Sequence, residues 1–169
     1  MKFEKIEIDA LRELLSLNQN QNNPVLKNIL NKINSTSLDY TMFIDGAADL
    51  HSKTSGIGGV IYKNNDELFT FSEYLDDATN NEAEYTALIH GLKSLLKLSI
   101  LNITIFSDSE LVVKQINGEY KVKNDRMKKL HFDAHTLLSK FEIWKLVHVL
   151  RDKNIVADKL ATNGRLKIN

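Results

Sequence analysis

Tyr40-Thr41-Met42-Phe43-Ile44-Asp45-Gly46 is rich in β-branched and aromatic residues and runs into an Asp-Gly step, so it reads as a strand, 40–45, with an acid at its end. Gly56, Gly58 and Gly59 then lead into Val60-Ile61-Tyr62, Asn64-Asn65-Asp66 is a turn signal, and residues 68–74 are again strand-like, which together predict a hairpin. Beyond it, 80–98 has the apolar spacing of an amphipathic helix and 102–108 that of a strand. Residues 109–117 and 124–141 read as helices, 143–150 as a strand and 154–163 as a short terminal helix. Three strands, a helix, a strand, helices, a strand and a helix predict an α/β domain, a mixed sheet flanked by helices.

Residues 1–38 have a different pattern. Ile8, Leu11 and Leu15 are spaced as on a helix, and so are Leu26, Ile29, Leu30 and Ile33. Between them 18–24 is an Asn/Gln run closed by the single proline, Pro24, a turn signal. The expectation is a helical N-terminal extension over 1–38, with its boundary at Ser35-Thr36-Ser37, and a main domain over 39–169. The extension carries no recognisable chemistry. It suits docking on the main domain, a protein partner or self-association.

At 169 residues with 43% hydrophobic and 26% charged side chains, the chain has the balance of a globular protein able to bury a core without staples. It has no cysteine, which excludes disulfides, zinc–thiolate and iron–sulfur sites and a thiol nucleophile. No apolar run approaches the roughly 18 residues of a membrane span, and the charged start does not resemble a signal peptide. These features point to the cytoplasm. The net charge of zero argues against a general polycation. The charges are nonetheless segregated: 64–89 holds seven acids and no Lys or Arg, whereas 114–129 holds six bases against Glu119 and Asp125. Such zones suit a metal site beside a polyanion, and they also suit ordinary solvated faces.

Four acids stand at unusual places. Asp45 and Asp108 each end a strand, and parallel neighbours would bring both to the same sheet edge, where open sheets bind ligands. A strand-end acid also serves as a turn or cap. Thr79-Asn80-Asn81-Glu82 fits a capping box, which accounts for Glu82. Glu84 lies roughly 40° or less from Leu88, Gly91 and Leu95, on the face that packs against the sheet. There it needs a cation, unless it tilts to water as a first-turn acid. Asp158 sits in the first turn of the last helix, after Asn154 as its cap. It answers the helix dipole, a salt bridge to Arg151, or the same cation. Carboxylates converging at one point repel one another without divalent cations, and oxygen-only ligands suit Mg²⁺ or Mn²⁺. Two such ions can drive in-line displacement at a phosphodiester.

Phe43–Ala47, Thr79-Asn80-Asn81-Glu82-Ala83-Glu84-Tyr85, Ser107-Asp108-Ser109, 111–120 and 148–161 resemble the motif series of type 1 ribonuclease H, in its compact bacterial and archaeal, reverse-transcriptase-like branch. The likeness covers about residues 40–163. It implies a ribonuclease H-like five-stranded mixed sheet and two-metal endonucleolytic hydrolysis of the RNA strand of RNA–DNA hybrids. Mg²⁺ would serve, with Mn²⁺ as substitute, and the cut would leave 5′-phosphate and 3′-hydroxyl ends. Asp45, Glu84, Asp108 and Asp158 would be the catalytic, metal-binding carboxylates. Asn81 would contact the minor groove, and Gly46 would let the backbone approach the RNA. Lys121 and Lys123 would partly replace a missing basic protrusion, and Arg151 takes the region where other members carry a His-bearing loop. After Gly46, Asp49–Ser55 replaces the family's Asn-Pro-Gly-like turn.

Other residues invite competing readings. Trp144 reads as core or rim rather than as a stacking platform, and His148 as a strand residue. His131 and His135, at i and i+4 without an intervening H-E-x-x-H pattern, read as packing residues. The altered loop keeps a second reading open, a catalytically weak or inactive nucleic-acid-binding relative acting through a protein partner. A DNA-cutting relative is disfavoured by the Asn81/Glu84 pairing and by the closing Ala157-Asp158-Lys159-Leu160-Ala161 pattern.

Overall fold

Two asparagines set the register of the hairpin over residues 54–76. Asn64 and Asn65 carry φ of 51° and 74°, the left-handed pair that a tight two-residue turn needs. They join β2 (Thr54–Lys63) to β3 (Asp66–Asp76). The computed structural model describes residues 5–17, 23–27, 29 and 40–167, and the chain divides into two compact units, 1–38 and 39–169. In the first, α1 (Lys5–Ser16) is a helix and 24–27 form a further helical turn. Apart from residue 29, which is also helical, the rest of the expected second helix and the Ser35–Ser37 boundary lie outside the described residues.

In the second unit β1 (Tyr40–Asp49) is followed by β2 and β3, then α2 (Asn80–Lys97), β4 (Asn102–Ser107), α3 (Glu110–Ile116), α4 (Asp125–Leu138) and β5 (Ile143–His148). A 3₁₀ turn (Arg151–Lys153) leads into α5 (Ile155–Leu166). The sheet order is β3-β2-β1-β4-β5. β1–β2 and β2–β3 are antiparallel, whereas β1–β4 and β4–β5 are parallel. This is the expected mixed five-stranded sheet. Strand β1 departs from its predicted end. It does not stop at Asp45 but pairs with β2 as far as Asp49↔Thr54. Ala47 and Ala48 have little strand propensity of their own, and the partner strand holds them extended.

Alternation along β1 sorts the layers. Met42 and Ile44 are fully buried beneath α2, within one core that includes Leu88, Leu92, Leu95, Ile103 and Ile105. Trp144 packs against the edge of that core, as predicted. On the other face α5 crosses the glycines of β2. A Cβ on Gly58 would lie 2.2 Å from the backbone N of Ala161, and one on Gly56 2.1 Å from that of Arg165. Backbone cannot yield as a side chain does. Gly58→Ala is therefore expected to lose about 3 kcal/mol, a fall in Tm of roughly 10 °C, readable by thermal unfolding. An unchanged Tm would show that α5 does not sit this close.

Candidate active site

The parallel register of β1 and β4 brings two of the predicted acids together. The ladder runs from Thr41↔Thr104 to Phe43↔Phe106. Asp45 and Asp108 each lie two residues past its last pair, side by side where β4 ends and β1 continues. Glu84 enters from the start of α2. That helix is anchored by the predicted capping box: Thr79 N donates to Glu82 Oε2 at 2.9 Å, and Glu82 N to Thr79 Oγ1 at 3.4 Å. Gly46 permits the approach, since a Cβ there would stand 2.3 Å from Glu84 N. The bare side of Gly46 is thus taken by α2. One oxygen from each of Asp45, Glu84 and Asp108 lies within 4.8 Å of the others.

Burial, and then the charges of Asp108 and Asp158, push the Asp45 carboxyl up to about 7, against the Gly46 amide and the Arg151 guanidinium. Burial, and then the charges of Asp45 and Asp108, push Glu84 up to about 9. Both side chains are only 5% exposed, and Glu84 Oε2 has no hydrogen-bond partner. Crowded, buried, partly unpartnered carboxylate oxygens are a costly arrangement for a fold alone. Their donor chemistry fits a hard divalent cation.

Asp158, in the first turn of α5, stands at the margin of this trio. Arg151 Nη2 donates to its Oδ1 at 2.6 Å, with the Arg side chain 79% exposed. An exposed pair of this kind contributes little and gives way easily to a stronger partner. Asn154 departs from its expected role. Its side chain makes no capping bond to α5. Instead Nδ2 donates to Asp108 Oδ1 at 2.7 Å and to Ile44 O at 2.9 Å.

Two clefts flank the start of α2. One, of about 730 Å³, is lined by the three carboxylates together with Gly46, His51, Asn80, Arg151 and Arg165. The other, of about 530 Å³, is lined by Asn81, Gln115, Lys121, Lys123 and Arg126 among others. The residues expected at nucleic acid therefore divide: Gly46 and Arg151 line the acidic cleft, and Asn81, Lys121 and Lys123 the basic one. Asn80 and Asn81 are both exposed, and Asn80 accepts from Ala48 N at 3.3 Å. Sequence reasoning missed the pair by which Arg165 Nη1 meets Asp49 Oδ2 at 3.2 Å, holding the altered loop to α5. The pair joins residues more than a hundred positions apart, and no local signal announces it. His131 Nε2 meets Gln115 O at 3.2 Å and stacks near His135, a packing role. His148 ends β5 and is exposed.

A sheet of this order with acids at its parallel edge defines the ribonuclease H-like fold, and similarity to known proteins agrees. The family model described as reverse transcriptase-like matches residues 43–164. The bifunctional protein Rv2228c of Mycobacterium tuberculosis is 35% identical over 122 residues, 71% of this chain and 34% of that protein. Ribonuclease HI of Halobacterium salinarum is 35% identical over 110 residues, 65% of this chain and 52% of that one. The solved structure of LC11-RNase H1, a compost metagenome enzyme in complex with an RNA/DNA hybrid, superposes with a TM-score of 0.72 at 31% identity. That match covers 76% of this chain and 97% of the other. This chain belongs to the type 1 ribonuclease H family, in its reverse-transcriptase-like branch. It spans about a third of the length of the first curated relative and about half of the second. Among the described residues no helix is long and apolar enough to cross a membrane.

Proposed function

We propose that residues 39–169 are a divalent-metal-dependent endoribonuclease that hydrolyses the RNA strand of RNA–DNA hybrids, leaving 5′-phosphate and 3′-hydroxyl ends, and that residues 1–38 are an appendage to it. The observation that carries this reading is the trio of Asp45, Glu84 and Asp108, with an oxygen of each within 4.8 Å of the others and with Glu84 Oε2 buried without a partner. Family membership and the hybrid bound by LC11-RNase H1 support it. The trio would hold two ions, Mg²⁺ with Mn²⁺ as substitute. When bound, these supply the Lewis acidity that activates water and stabilises the leaving oxygen of a phosphodiester. Asp158 would join the trio when Arg151 turns from it toward a phosphate. The capped start of α2 would stand between the two strands, with Asn81 at the minor groove, and Lys121 and Lys123 would take phosphates of the uncut strand. Contacts to 2′-hydroxyls would distinguish RNA from DNA.

The test is cleavage of a labelled RNA–DNA hybrid with Mg²⁺, with Mn²⁺ and with chelator, beside RNA-only and DNA-only duplexes. Metal-dependent cutting of the hybrid's RNA alone is expected. A hybrid that is bound yet intact with both metals would overturn the reading. The basic cleft has its own test. Changing Lys121 and Lys123 together to Ala should raise KM about tenfold near 0.15 M salt and lower the salt slope by roughly 1.5, with kcat within about twofold. An unchanged slope would remove both lysines from the interface.

A further inference from the structure

We propose that Asn154 is a positioning residue, whose side-chain amide holds Asp108 in the orientation in which it meets Asp45 and Glu84. The inference rests on the metal-site reading above. Asn154 is 1% exposed, and its NH₂ group spends both hydrogens, one on Asp108 Oδ1 and one on the carbonyl of Ile44, the residue before Asp45. A single planar group thus ties the middle of β1, at the residue before Asp45, to Asp108 just past the end of β4, joining the segments that carry two of the three carboxylates. Its backbone carbonyl accepts from Asp158 N at 3.0 Å, so the same residue also starts the helix that bears the fourth acid. Both neighbours of Nδ2 are acceptors, which fixes the orientation of the amide. The other atom, Oδ1, is buried with no partner. A helix-capping asparagine would turn that oxygen to the amides of the first turn, and here no such bond is made. The side chain is committed to Asp108 at the cost of the cap. Asp, otherwise an equal capper, would offer no hydrogen to either acceptor and would set a further charge against Asp108.

The test is a double-mutant cycle on the full chain, read by calorimetric titration with Mn²⁺ alone, without nucleic acid. Asn154→Ala should weaken Mn²⁺ binding about tenfold and Asp108→Asn should weaken it further. The double variant should match Asp108→Asn within twofold, because the amide acts through that carboxylate. Asn154→Ser, which keeps one donor hydrogen, should fall between wild type and Asn154→Ala, and it serves if the alanine variant does not fold. On the hybrid, kcat of Asn154→Ala should drop about tenfold with KM within twofold. Mn²⁺ affinity of Asn154→Ala within twofold of wild type, or losses that multiply in full in the double variant, would overturn the proposal. A wild-type chain that binds Mn²⁺ yet leaves the hybrid intact would count against the nuclease reading alone, since the cycle is measured without substrate.

Discussion

Asp45→Asn is expected to abolish hybrid cleavage, by about a thousandfold or more, while the chain stays folded. The position is buried, and the side chain provides one of three carboxylate oxygens within 4.8 Å of one another. An amide of the same shape keeps the packing but removes a charge, and with it much of the attraction for a divalent ion at close range. The fold itself loses nothing by the change. Burial and the neighbouring acids already push the Asp45 carboxyl up to about 7, so a neutral group there relieves repulsion. Single-turnover cleavage and thermal unfolding in chelator check both halves: activity lost, Tm equal to or above wild type. Unchanged turnover would exclude Asp45 from the reaction.

The same crowding makes stability of the metal-free chain fall as pH rises. Asp45 moves from an ordinary 3.8 to about 7 and Glu84 from 4.5 to about 9. Between those limits the folded state keeps protons that the unfolded chain has released, so the unfolding free energy declines with pH. The contribution of the two groups is whole below pH 3.8 and is lost by about pH 9. In chelator, Tm of the wild type should therefore fall from pH 5 to pH 9 more steeply than that of Glu84→Gln, whose amide holds no titrating proton. Millimolar Mg²⁺ or Mn²⁺ should restore roughly 3 °C or more at pH 8 and much less at pH 5, where protons occupy the site. Parallel pH profiles for the two proteins would refute a proton-held cluster.

The acids were legible from their local placement, although each alone also fits a turn, cap or helix-dipole role. Glu84 lies on the packing face of a periodic helix, and Asp45 and Asp108 follow apolar strand runs. The mixed sheet was legible for the same reason, since periodicity is local. What stayed hidden is set by distant partners. Asn154 looks like a cap because caps are local, but its bonds reach Asp108 and Ile44, 46 and 110 positions away. The hold on the altered loop depends on Arg165, 116 positions from Asp49. No window of sequence contains both halves of such contacts.

The separation of acidic and basic clefts by one helix start bears on how a nucleic acid first meets this surface. The chain has no net charge, so a distant polyanion experiences little pull, and salt screens the remainder beyond about 8 Å. Encounter is then unsteered, with an association rate near that of neutral partners rather than the diffusion-limited rate of a basic protein. Selection falls to the moment of touching. On the proposed reading, a duplex that arrives with its backbone against the carboxylates would be repelled, and one that lands on the lysines would be retained long enough to turn its other strand toward the acids.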